Sequence, residues 1–190
     1  MRTYLVMTAA TFAVGLAAAV PASADNIEYF HTTLSGFNEV GVLNDESGAI
    51  LSGGVATATV KLDKTKRTAT YTLNITSAAT SPILQAHIHF GKKRDAGGVM
   101  LFFCANGNVP LVPPINTPAC PTPTGTVSGT WTASDVQGIP TQNVTAGDFQ
   151  AIVEALESGT AYANIHTADF PTGELRGQMG PMGHGPASHE

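Results

Sequence analysis

Alternation of apolar and polar positions dominates this chain. Successive side chains of a strand point to opposite faces, so short alternating runs bounded by turn residues predict strands. Residues 26–35 form the first such run. Residues 53–62 alternate Val55, Thr57 and Thr59 with Ala56, Ala58 and Val60. After the polar turn Asp63-Lys64-Thr65-Lys66, residues 68–75 set Tyr71, Leu73 and Ile75 against Thr70, Thr72 and Asn74. That pair reads as a hairpin. Residues 84–90, 99–104, 127–132 and 161–166 continue the series, and 127–132 brings the single Trp, Trp131. One stretch changes period. Phe149, Ile152, Val153 and Leu156 recur at helical spacing. Thr145 precedes Asp148 by three residues, close to a capping box, and Gly159 stands where a helix C′ glycine would. The pattern predicts an all-β domain with one short helix near residues 146–157, its Glu154 and Glu157 facing solvent.

The ends carry a different pattern. Arg2, an apolar run and the small residues Ala22-Ser23-Ala24 read as a secretory signal over residues 1–24. The run is short for a membrane span, and no later segment is long and apolar enough to be one. Residues 25–179 then form one domain, and 180–190 a flexible Gly/Pro/His tail. Export places the protein in the periplasm or outside the cell. In that setting the only two cysteines, Cys104 and Cys120, read as a disulfide. It ties down residues 106–123, whose six prolines exclude a central strand.

Charge narrows the partners. The formal charge is −5, and loss of Arg2 with the signal makes the remainder more acidic. Such a chain has no electrostatic reason to bind nucleic acid or anionic lipid. The one basic run, Lys92-Lys93-Arg94, is followed at once by Asp95 and reads as a solvated loop tip.

The candidate chemistry lies in His87-Ile88-His89 and Asn164-Ile165-His166. Strand alternation puts Gln85, His87 and His89 on one face of their run, and Tyr162, Asn164 and His166 on one face of theirs. If the two strands pair, three imidazoles meet on a polar face. His87, His89 and His166 are then candidate ligands for copper or zinc, because imidazole suits both ions. Gln85, Tyr162, Asn164 and Glu174 are candidates for a further ligand or for orienting the rings. Alternatively the histidines only hydrogen-bond neighbouring strands and loops. Glu174 and Arg176 alternate outward and suggest a same-face ion pair, worth about 0–1 kcal/mol if exposed. No nucleophile, phosphate loop or catalytic carboxylate pair emerges.

Several segments together resemble the CHRD domain, the module first described in chordin. They are Leu34-Ser35-Gly36-Phe37-Asn38-Glu39-Val40, Ala86-His87-Ile88-His89-Phe90-Gly91, Tyr162-Ala163-Asn164-Ile165-His166-Thr167 and Phe170-Pro171-Thr172-Gly173-Glu174-Leu175-Arg176-Gly177-Gln178. The resemblance spans roughly residues 27–179. The family often follows Glu-Val with prolines, whereas Gly41-Val42-Leu43 stands here. The resemblance implies an immunoglobulin-like antiparallel β-sandwich or barrel and no particular activity. The His-x-His strand is also similar to the copper motif of copper-zinc superoxide dismutase. That enzyme's zinc-loop histidines have no counterpart here, so its activity does not follow. Three function classes stand: an exported binding or structural module with a three-histidine metal site, a copper- or zinc-dependent metalloenzyme acting on oxygen species, and a cell-surface adhesion or matrix protein. The ligand, whether protein, glycan or metal, and the oligomeric state are not legible in the chain.

Overall fold

A computed structural model describes residues 26–40, 48–77, 79–106 and 117–182. The expected signal segment, residues 183–190 of the expected tail, Gly41-Val42-Leu43 and the middle of the proline-rich stretch lie outside the described residues.

The alternating runs are strands: β1 (Ile27–Ser35), β2 (Val55–Asp63), β3 (Thr68–Ser77), β4 (Ile83–Phe90), β5 (Gly98–Ala105), β6 (Gly125–Trp131) and β7 (Ala161–Thr167). Two short strands follow, β8 (Leu175–Gln178) and β9 (Gly180–Pro181), and α1 (Phe149–Glu157) precedes β7. All are antiparallel, in the order β5-β4-β7-β8-β1-β2-β3-β6, with β9 also on β1. The predicted hairpin is present. Asp63 pairs with Thr68, and the Asp63 carboxylate accepts the Lys66 N–H at 2.9 Å, closing the turn. The chain keeps strand pairing through Pro181, two residues into the stretch read as a tail.

The sheet curls until its end strands face each other. Side chains bridge the remaining gap. Tyr71 Oη donates to Phe103 O and Trp131 Nε1 to Phe102 O, each at 2.8 Å. The Tyr71 and Trp131 rings stack with centroids 4.2 Å apart. These bonds occupy carbonyls of β5 that an open sheet would leave unpaired, which blunts the edge. The result is the expected all-β, nearly closed sandwich or barrel.

The core is built from the inward face of each strand, including Phe30, Leu34, Leu62, Leu73, Ile88 and Ile165. Helix α1 adds Phe149, Ile152, Val153 and Leu156, the stripe read from the sequence. Its cap is a correction. Asp148 itself is the N-cap, its carboxylate accepting the N–H groups of Gln150 and Ala151, and the helix starts at Phe149. Thr145 contributes only a backbone carbonyl, to the Asp148 N–H. Gly159 takes φ +69°, as a C′ glycine should. Glu154 and Glu157 are exposed, and Glu157 reaches Lys64 at 3.0 Å.

Cys104 and Cys120 form a disulfide. Asn106 reinforces it: its side chain accepts the Cys120 N–H and donates to the carbonyls of Ile83 and Cys120.

Strand β7 departs from simple alternation. All seven of its residues are buried. Ala161, Ala163 and Ile165 enter the apolar core, while Tyr162, Asn164 and His166 lie under a second layer of loops. That second buried face holds the candidate site.

Candidate metal centre

The pairing of β4 with β7 brings the two histidine runs together. Gln85 lies opposite His166, His87 opposite Asn164, and His89 opposite Tyr162. Directly opposed residues share a sheet face, so the two polar sets merge. The potential ligand nitrogens of His87, His89 and His166 all lie within 4.8 Å of one another. The His87 and His166 rings are 4.5 Å apart between centroids. All three are buried.

Hydrogen bonds define the tautomers. A carbonyl oxygen only accepts, so a ring nitrogen facing one must carry the proton. His89 Nδ1–H donates to Gly97 O at 2.8 Å, and His166 Nδ1–H to Pro171 O at 2.9 Å. The Nε2 atoms of both rings are therefore lone pairs. His89 Nε2 accepts from His87 Nδ1 at 2.8 Å. His166 Nε2 is buried and has no hydrogen-bond partner among the described residues. A buried acceptor left unsatisfied is costly, and each such atom calls for an explanation.

Electrostatics keep the rings neutral. Burial pushes His89 down to about 3, outweighing the bond to Gly97, with His166 and the Arg176 guanidinium adding to the fall. Burial, then the neighbouring imidazoles, holds His87 well below the ordinary histidine value. Burial also lowers His166 despite its bond to Pro171. Neutral imidazole is the form that binds a metal.

Gly97 is required by the geometry. A Cβ there would sit 1.8 Å from Phe90 O, so only glycine lets this loop close over β4 and aim its carbonyl at His89. Gln142 braces the same loop, donating to Phe90 O and accepting the Gly98 N–H.

The surrounding residues behave differently from the sequence expectations. Tyr162 lies parallel to His89, with centroids 4.6 Å apart, and its hydroxyl accepts the Gly97 N–H at 3.1 Å. Burial raises its phenol pKa, which disfavours the phenolate a metal would want. Asn164 donates to Glu39 Oε2 and Leu175 O, and to no imidazole. Gln85 is half-buried opposite His166. Glu174 and Arg176 are not an exposed ion pair. Glu174 is fully buried, and its carboxylate accepts from Ser52 Oγ, Thr167 Oγ1, and the N–H and hydroxyl of Thr80. Burial pushes its pKa up, but those bonds outweigh it and hold the group below the ordinary carboxylate value. Arg176 donates to Lys92 O and Asp95 O and rests its Cζ 3.4 Å from the Tyr162 ring centroid. Both were read as outward-facing because alternation does not reveal a covering loop. Glu174 therefore serves the Ser52 and Thr80 loops, and none of its hydrogen bonds goes to an imidazole.

Sequence reasoning missed four participants. Glu39 anchors Asn164, and Phe102 stands edge-on to His87 with centroids 5.0 Å apart. The carbonyls of Gly97 and Pro171 orient the rings, and a backbone role of that kind leaves no residue-type signal. Glu39 lay within a segment of the CHRD resemblance, which was its only cue.

The class defined here is a small antiparallel β-sandwich with a buried polar layer on one outer face. The family model of the CHRD domain matches residues 30–179. The chain belongs to the CHRD-domain family. No curated protein and no solved structure matches it.

Proposed function

We propose that this protein is an exported CHRD module that binds a copper or zinc ion through His87, His89 and His166. The observation that carries this reading is the lone pair of His166 Nε2, buried without a partner beside two neutral imidazoles. Anchoring of ring N–H groups by backbone carbonyls is the arrangement that orients metal-binding histidines. For an ion to sit between His87 and His89, the His87 proton would move from Nδ1 to Nε2, which frees the lone pairs of His87 Nδ1 and His89 Nε2 while both rings stay neutral. Zinc–nitrogen bonds of about 2.0–2.1 Å would draw the three nitrogens closer than their present spread. The all-nitrogen donor set, with no carboxylate on any ring, fits copper or zinc better than magnesium or calcium.

Burial of all three rings supports a closed binding site over a centre that admits a substrate, so the module reading stands ahead of the metalloenzyme reading. Residues 1–24 are its export signal, and the disulfide suits the periplasm or the extracellular space.

The test is metal content of the purified exported protein beside the His87→Ala/His89→Ala variant. Near-stoichiometric copper or zinc, lost in the variant, supports the site. Absence of metal, with no thermal shift on adding either ion, overturns it. Amino-terminal sequencing that begins at Asp25 checks the export assignment.

A further inference from the structure

A second feature lies beyond the metal cluster. A cavity of about 780 Å³ opens between the segment after β1 and the loop joining β4 to β5. Its lining includes Phe37, Glu39, Lys93, Arg94, Arg176 and Gln178. Residues 41–47, which join two other lining residues, lie outside the described residues. The volume is that of a small-molecule site.

The lining chemistry is selective. Three cations face one carboxylate, in a chain whose formal charge is −5. Two of the four charges are built in. Arg176 is 3% exposed and is braced by Lys92 O and Asp95 O, and Glu39 is 8% exposed and held by the Val40 N–H and Asn164. The Arg176 bonds fix the backbone of the loop that carries Lys93 and Arg94, whose side chains are exposed as the loop-tip reading expected. Gln178 spends its side-chain N–H groups on the carbonyls of Gly91, Gly159 and Ala161, and its Oε1 is left without a donor. At the rim Phe37 is 66% exposed, an apolar ring with no packing role.

Each group restricts the ligand. The cations call for an anion, and arginine favours a planar carboxylate. The Glu39 carboxylate on the cavity wall calls for donors such as hydroxyls. An exposed ring offers a face for a flat C–H surface. A free phosphate would leave Phe37 and most of the volume unused, and it would meet Glu39. We propose that this cavity binds a carboxylated sugar, the unit of an acidic extracellular polysaccharide.

The probe is a trimer of galacturonic acid, titrated calorimetrically into the full protein in chelator, with neutral galactotriose as control. The acidic trimer should bind, weaken as salt is raised, and lose at least about tenfold in affinity in Lys93→Ala/Arg94→Gly. Glycine is chosen at Arg94 because its φ is +75°, where alanine would add strain. Phe37→Ala should weaken binding with no change in melting temperature. Three results would each overturn the proposal: no binding of the acidic trimer, equal binding of galactotriose, or unchanged affinity in the Lys93/Arg94 variant. Complete displacement by equimolar inorganic phosphate would do the same. Binding in chelator separates this site from the histidine cluster.

Discussion

The metal-free protein should lose stability steeply as the pH falls from neutrality, because its central histidines are buried uncharged. In the unfolded chain each titrates near the ordinary value of about 6.5. In the folded chain His89 is pushed down to about 3 and His87 lies well below its ordinary value. The unfolded state therefore binds protons that the folded state refuses. Stability is fully present above the unfolded value and drains away as the pH drops below it. Each proton costs about 1.4 kcal/mol per pH unit below the unfolded value, so His89 loses about 2 kcal/mol between pH 7 and pH 5. His87 adds to the loss in the same direction, and the His89 share alone is a sizeable part of a typical domain's total of about 5–15 kcal/mol. They share a hydrogen bond, so the loss belongs to the pair. His166 acts in the same sense. Glu39 acts in the opposite sense, since burial raises its pKa and the folded state gains its proton first. Glu39→Gln removes that offset. The assay is urea unfolding in chelator, followed by fluorescence of the single, buried Trp131. A change below about 1 kcal/mol across this window, in the protein and in Glu39→Gln, would refute the claim that the rings are held neutral.

Further outcomes follow from the same geometry. Zinc at a hundredfold its dissociation constant should raise stability by about 2.7 kcal/mol at neutral pH and by a similar amount at pH 5, because His87 and His89 are already neutral in the folded chain at both pH values; unfolding in matched buffers with and without zinc reads both, and a gain that vanishes at pH 5 would contradict the neutral rings. Replacing Cys104 and Cys120 by alanine should cost about 3 kcal/mol, the value for a loop of this size, and a shift under about 1 kcal/mol in denaturation would contradict it. Tyr71→Phe removes the donor to Phe103 O across the sheet gap and should destabilise by about 1–2 kcal/mol, whereas Thr72→Val, which loses only a hydroxyl contact to Ser128 on the half-buried outer face, should cost less. Asp148→Ala should cost about 1 kcal/mol by removing the helix cap, and Thr145→Ala almost nothing; equal effects in thermal melts would restore Thr145 as the cap.

Legibility differed sharply between elements. Strands β2 and β3 were readable because two-residue alternation and a polar turn are local signals, and their register follows from the turn. Helix α1 was readable from its apolar stripe, but its cap was misplaced by three residues because Thr145 and Asp148 both suit the role chemically. Strands β8 and β9 were not predicted as strands. They are short, and β8 carries the buried Arg176 and the half-buried Gln178 where an apolar signal was sought. Glu174 and Arg176 were read as exposed for the same reason. Their burial depends on Ser52, Thr80 and the 91–97 loop, which are distant in sequence.

By itself the sequence determined the all-β class, the hairpin, the helix stripe, the cysteine pair and the side of each strand on which the histidines stand. Those properties depend on periodicity and composition within a few residues. The tertiary structure decided that Gln85 faces His166, that a loop closes over His89 through Gly97, and that His166 Nε2 is left buried and unpaired. Such facts arise from strand order, register and loop placement. They are set by the summed packing of segments far apart in the chain, and no local pattern encodes that sum.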